Sequence, residues 1–134
     1  MIAALAPDED CHAESLGLLM QGGNVVNAHA FLETFSILTG GKLGVRVEAG
    51  LAAQLLNETL NETVLPCVRV VDLGVDEILA ALRHGKKHGV RGGAVYDFMH
   101  LIAARKAGAA VLYTLNIADF QSLRREGDPE IRRP

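Results

Sequence analysis

Asp97 stands in a strongly apolar helical stretch, 94–102, and is the side chain of this chain that most needs a chemical explanation. An ionised carboxylate that leaves water without a partner costs enough free energy to shift its pKa or to require a cation. A metal ion or a reacting group would meet that requirement. The alternative is structural, because the helix dipole stabilises a carboxylate in the first turns of a helix by about 0.3–1 kcal/mol.

Further oxygen-bearing side chains follow two predicted strands. Glu33 lies in the second turn of the helix after a strand at 24–26. Three others follow the strand at 111–114, namely Thr114, Asn116 and Asp119. Because ligands of open parallel sheets bind outside the carboxyl ends of the strands, we expect these groups to converge with Asp97. Carboxylates with an amide form a hard-oxygen site, which predicts Mg²⁺ or Mn²⁺.

Each of these side chains also has a local alternative. Glu33 can pair with His29, which lies four residues earlier on the same helix. Asn116 and Asp119 are residue types that commonly form turns. The pattern alone therefore leaves both a metal site and ordinary helix and turn contacts open.

The elements that must position these residues alternate along the chain. The pattern predicts helices over about 11–20, 28–38, 47–60, 75–88 and 94–108, and strands at 24–26, 68–73 and 111–114. Strands separated by helices of this length predict a parallel sheet in an α/β fold. The tail, 127–134, is expected to form a weak edge strand or frayed coil.

Composition narrows the class of protein. A length of 134 residues predicts a single domain. The chain is 49% hydrophobic but only 4% aromatic, and this shortage of aromatic rings disfavours a stacking platform for single-stranded nucleic acid. A net charge of −3 argues against a protein that coats DNA. Cys11 and Cys67 lack zinc or disulfide spacing, so a reducing cytoplasm fits. No apolar run reaches the length of a membrane span.

A cluster of basic and titratable side chains precedes the Asp97 helix. Its members are Arg83, His84, Lys86, Lys87, His88 and Arg91. Such a cluster is typical of a phosphate-binding surface that would guide a nucleic acid towards an acidic centre. The alternative is a solvated helix end whose cations complement the helix dipole.

Three stretches together resemble the PIN-domain family, specifically its VapC-like toxins of bacterial toxin–antitoxin pairs. They are Asn27–Glu33, Val90–Asp97 and Thr114–Phe120, and the resemblance covers about residues 3 to 120. Its strongest part is the Gly-Gly-x-x-x-Asp helix start followed by the Thr-x-Asn-x-x-Asp-Phe turn. The resemblance implies a three-layer α/β/α fold with a central parallel sheet.

The resemblance also implies a function, a small endoribonuclease that uses Mg²⁺ or Mn²⁺. By similarity Glu33 and Asp97 would be the second and third acids of the site. Many relatives carry an Asp where this chain has Asn116, so Asp119 or a bound water would complete the metal shell. Arg83, Lys86, Lys87, Arg91 and Thr114 are then the expected RNA contacts. The implied partners are a small antitoxin and a second copy of the chain, in the cytoplasm.

The start of the chain departs from the family pattern. Relatives open with a central strand that ends in Asp-Thr-Asn, whereas Met1–Leu5 corresponds to the helix that follows that strand. We therefore expect an N-terminally short PIN-like domain with weak or absent activity as given, and activity once the strand is restored. A binding or dimerisation module without catalysis is the alternative function. An unrelated flavodoxin-like fold would fit the elements but leave the acid spacing unexplained.

Overall fold

The computed structural model describes residues 1–41, 46–60 and 68–134, in which helices and short strands alternate. Cys67 lies outside this part. The helices α1 to α7 are Ile2–Leu5, His12–Met20, His29–Gly40, Ala49–Thr59, Val75–Gly85, Ala94–Ala107 and Ile117–Leu123. The strands β1 to β4 are Val25–Asn27, Arg69–Val71, Val111–Tyr113 and Glu130–Arg132. A 3-10 helix, Lys86–His88, continues α5.

The first compact unit spans Met1–Val70. In it α1 packs on α2, with Ala4 and Leu19 buried, and α3 packs on α4. The strand β1 pairs with β2, and the Arg69 amide donates to the Asn24 carbonyl over 2.9 Å. Asn24 also donates its side-chain amide to the Leu18 carbonyl over 2.6 Å, which ties the end of α2 to the start of this strand pair.

The second compact unit spans Val71–Pro134 and is built around α6. This helix contacts α5 and α7 and buries Phe98 and Leu101, which are 1% and 0% exposed. It ends where Gly108 adopts a left-handed φ of 68°, as the sequence predicted from the glycine. Glycine meets this requirement because it has no Cβ to clash in that conformation.

The chain ends in a strand, one of the two outcomes predicted for the tail. β4 pairs in parallel with β3, with Val111 opposite Glu130 and Tyr113 opposite Arg132. Ile131 points into the protein and is only 6% exposed. Burial of this side chain and the ladder to β3 explain why the polar tail forms a strand rather than coil.

The predicted α/β class is confirmed. Within the described ranges the strands form two separate two-stranded sheets, β1 with β2 and β3 with β4. No helix in those ranges is long and apolar enough to cross a membrane.

Candidate functional site

Asp97 lies in the first turn of α6, a helix that begins directly after Gly92 and Gly93. Gly92 has a φ of 55°, a left-handed conformation that lets the chain turn sharply into the helix. The next residues, Phe98 and Met99, are buried, whereas Asp97 itself is half-buried. The carboxylate therefore sits beside the apolar core rather than within it. This position suits both a ligand site and the dipole alternative.

The oxygen-bearing side chains after β3 form a local hydrogen-bonded group. The Asn116 backbone amide donates to Thr114 Oγ1 over 3.0 Å. The Asn116 side chain donates through Nδ2 to Asp119 Oδ2 over 2.7 Å. Asn116 and Asp119 are exposed and Thr114 is half-buried. These three residues therefore lie together, whereas their predicted convergence with Asp97 and Glu33 stays a prediction.

Asp119 does not lie in a turn, as the sequence analysis had it, but in the first turn of α7. The helix begins at Ile117, two residues earlier than Asp119, and the Phe120 amide donates to the Asn116 carbonyl over 3.4 Å. A carboxylate in the first turn of a helix stabilises that helix, because it lies near the positive end of the helix dipole. The helix start thereby fixes Asp119 against Asn116.

Glu33 makes the local contact that the sequence left open. Its Oε1 lies 3.6 Å from His29 Nε2, one helical turn away on α3, and both side chains are about a third exposed, at 36% and 34%. Glu33 belongs to the first compact unit, whereas Asp97, Asn116 and Asp119 belong to the second. Its predicted role as a metal ligand stays a prediction.

The donor chemistry of the 114–119 group fits a hard cation in part. The bond between Asn116 and Asp119 uses Nδ2 and Oδ2, which leaves Oδ1 of each side chain to face a ligand. Oxygen donors of this kind suit Mg²⁺ or Mn²⁺. Across residues 1–41, 46–60 and 68–134, no three His, Cys, Asp or Glu side chains are grouped so that they could hold a metal ion. Asn116 and Asp119 therefore do not by themselves complete a metal shell, and the predicted Mg²⁺ or Mn²⁺ stays a prediction.

We expect Asn116→Asp to make the fold more dependent on divalent cations. The change replaces an N–H donor to Asp119 with a second carboxylate, and repulsion raises one of the two pKa values. Loss of the hydrogen bond costs about 1 kcal/mol without metal, and a bound cation offsets that loss. Thermal unfolding with Mg²⁺ or with EDTA measures the difference.

Gln121→Glu is the control for this change, because it adds the same charge at an exposed position of α7. It should respond little to Mg²⁺. Equal unfolding temperatures of Asn116→Asp in Mg²⁺ and in EDTA would contradict a cation site at this position.

The predicted phosphate-binding cations lie on the surface of the second unit. Arg83, Lys86, Lys87 and Arg91 are all exposed, and their side chains form no ion pair with another described residue. The two histidines behave differently. His84 Nδ1 lies 2.8 Å from the Ala80 carbonyl of its own helix. Burial, followed by repulsion from Arg125 and Arg105, lowers the pKa of His88, so it is neutral at pH 7 and adds no charge.

Sequence reasoning missed an open groove of about 290 Å³ between α5 and α6. Its wall is apolar around Phe98, whose ring centroid lies 5.1 Å from that of His88. Beside this groove, Lys106 of α6 donates through Nζ to Glu77 Oε2 of α5 over 2.7 Å. These two residues are 29 positions apart, so no local pattern could have revealed the pair.

A second missed feature is the ion pair of Arg105 with Asp128. Arg105 donates through Nε and Nη2 to the two carboxylate oxygens of Asp128, the Nη2 bond being 2.7 Å long. The Arg125 amide adds a third donor at 2.7 Å. Burial by itself raises the pKa of Asp128, but the Arg105 hydrogen bond and the Arg125 amide outweigh it and hold that pKa below its ordinary value. This pair fixes the segment before β4 to the end of α6.

No known family model and no curated protein sequence matches the chain.

Proposed function

We propose that the chain is a PIN-like, VapC-like endoribonuclease that cleaves RNA with the help of Mg²⁺ or Mn²⁺. The observation that carries the proposal is the group of Thr114, Asn116 and Asp119 directly after β3, because its oxygen atoms lie at the carboxyl end of a parallel strand. Asp97, at the start of the helix preceding that strand, supplies the third acid of the resemblance. A small antitoxin as inhibitor and a cytoplasmic location belong to the same proposal.

The parallel pairing of β3 with β4 supports the PIN-like three-layer fold of this proposal, in which helices flank a parallel sheet. Within the described residues the strand pairs are β1 with β2 and β3 with β4. A two-stranded sheet is only marginally stable without further partners, so a strand added to either pair should stabilise it.

In the proposed reaction the residues of this chain hold the cation and the RNA. Asp97 and Asp119 would hold the metal, with the Asn116 amide oxygen as a neutral ligand, and Glu33 keeps the role of second acid that the resemblance implies. When bound there, such an ion would supply charge to polarise a phosphoryl oxygen and to lower the pKa of a water molecule. The exposed cations, Arg83, Lys86, Lys87 and Arg91, would neutralise RNA phosphates, and Thr114 would donate to one of them.

A second candidate function is a PIN-like binding module without catalysis. The hydrogen bond from Asn116 to Asp119 favours it, because this pair satisfies part of its own polar requirement with no cation present. Such a module would bind RNA or protein through the same surface without cleaving a bond.

Cleavage of labelled RNA in Mg²⁺ and in EDTA tests the proposal, with the chain as given and with a version extended at Met1 by a strand ending in Asp-Thr-Asn. We expect Mg²⁺-dependent cleavage by the extended protein, slower or no cleavage by the chain as given, and a higher unfolding temperature after extension. RNA binding without cleavage by a stabilised extended protein would favour the binding module. Equal cleavage in EDTA would refute metal dependence.

A further inference from the structure

The open groove of about 290 Å³ lies between helices α5 and α6, which pack on each other in the second unit. We call it the α5–α6 groove. Its apolar wall combines Ala80 and Ala81 of α5 with Phe98 and Ile102 of α6. Because alanine has no side chain beyond Cβ, the two helices contact each other without filling the space between them. The volume is close to the lower end of the range that is usual for small-molecule sites.

The polar side chains of the α5–α6 groove offer hydrogen-bond donors and a positive charge. Arg105 lines the groove and donates to Asp128 through Nε and Nη2, so its Nη1 has no acceptor among the described residues. Glu77 also lines the groove, but Lys106 Nζ donates to its Oε2 over 2.7 Å and compensates its charge. The charge that such a groove best complements is therefore a single negative one.

The surroundings of His88 show the same preference. Its ring lines the groove, with its centroid 5.1 Å from that of Phe98. Burial lowers the pKa of His88, and repulsion from Arg125 and Arg105 lowers it further, whereas the opposing attraction of Asp128 is weaker. Cationic charge thus outweighs anionic charge beside this ring. Nδ1 of His88 is also buried without a hydrogen-bond partner in the described residues, which is consistent with a groove that a bound molecule completes.

We propose that the α5–α6 groove binds a small organic acid, whose single carboxylate accepts hydrogen bonds from Arg105 Nη1. Its aromatic or branched apolar body would lie against Ala80 and Ile102 and leave water there. The two N–H groups of Nη1 form charge-assisted hydrogen bonds with a carboxylate. A phosphate dianion fits less well, because an apolar wall does not replace its hydration. Binding of the acid is independent of the proposed ribonuclease activity.

Three probes that share one apolar body test the site. Phenylacetate, phenylacetamide and phenethylamine carry an anionic, a neutral and a cationic head group. Titration of the full chain, followed by backbone amide chemical shifts, measures each affinity and shows which helices respond. We expect phenylacetate to bind at α5 and α6 with a Kd of about 1 mM, about ten-fold more tightly than the amide, and phenethylamine to bind most weakly. Equal affinities, or shifts confined to other helices, would overturn the proposal.

Ala80→Leu tests the position of the apolar body, because it places a larger side chain in the groove and leaves the charges unchanged. It should weaken phenylacetate binding by about ten-fold or more. Ala53→Leu is the matched control, because Ala53 is exposed on helix α4. It should bind phenylacetate like the wild type. Undiminished binding by Ala80→Leu would show that the acid does not occupy the α5–α6 groove.

Arg105→Gln tests the position of the carboxylate. The preference for phenylacetate over phenylacetamide should disappear, because the variant no longer carries the guanidinium charge, while the affinity for the amide should change little. Circular dichroism shows whether the variant keeps its helices, since Arg105 also holds Asp128. If it does not, the three probes and Ala80→Leu decide the proposal. A folded Arg105→Gln that still prefers the acid would overturn it.

Discussion

Replacing Asp97 by Asn is expected to reduce RNA cleavage by the strand-extended protein by about 100-fold or more, which corresponds to about 2.7 kcal/mol of transition-state stabilisation. Asn keeps the shape of the side chain but removes the negative charge that would hold the cation and help to orient a water molecule beside it. Since Asp97 is half-buried in the first turn of α6, the same change also removes helix-dipole stabilisation, which is worth about 0.3–1 kcal/mol. The loss of activity should therefore far exceed the loss of stability.

Cleavage rates at saturating Mg²⁺, together with urea unfolding of the same samples, separate the two effects. Glu14→Gln is the control, because Glu14 is an exposed acid in the first turn of a helix, α2, outside the candidate site. It should lose a comparable amount of helix-dipole stabilisation and no activity. If Asp97→Asn cleaves RNA as fast as its parent, Asp97 is not a metal ligand.

The features that sequence could predict are those set by near neighbours along the chain. The end of α6 follows from Gly108, and the grouping of Thr114, Asn116 and Asp119 follows from a spacing of two and three residues. The contact of Glu33 with His29 is likewise fixed by one helical turn. The one local error, Asp119 in a turn, arose because both a turn and a helix N-terminus favour the same residue types.

The features that sequence could not predict depend on how distant segments pack. The register of β3 on β4 joins residues 19 apart (Val111 and Glu130), and three-residue strands carry too little pattern to specify it. The pairing of Arg105 with Asp128 spans 23 residues. Convergence of Glu33 with Asp97 and the 114–119 group would likewise need long-range packing, and it stays a prediction.

Asp128→Ala is expected to lower the free energy of unfolding by about 3 kcal/mol. The Asp128 side chain is 3% exposed and Arg105 is 31% exposed, so the change leaves a partly buried guanidinium and the Arg125 amide without their acceptor. Breaking a buried pair from one side costs more than the pair contributes, because the remaining charge has lost its partner. The partial exposure of Arg105 allows water to reach it, which places the cost at the lower end of the usual range. Urea unfolding measures it.

The Glu130–Arg132 pair provides the comparison, because both side chains are about half exposed. Glu130→Gln should leave the urea midpoint unchanged, since exposed ion pairs contribute little. A similar loss in Glu130→Gln and Asp128→Ala would show that burial does not set the strength of the Asp128 pair.

The same pair gives the fold a defined response to acid. The pKa of Asp128 is lowered in the folded protein, whereas an Asp in the unfolded chain has a pKa of about 3.9. Its contribution is therefore complete above the unfolded pKa and is lost as the pH falls through that value towards the folded pKa. We expect the wild type to lose stability more steeply than Asp128→Asn between about pH 5 and pH 3. Parallel pH profiles would mean that Arg105 does not hold Asp128 ionised, and the segment before β4 would then depend on Ile131 and the β3 ladder alone.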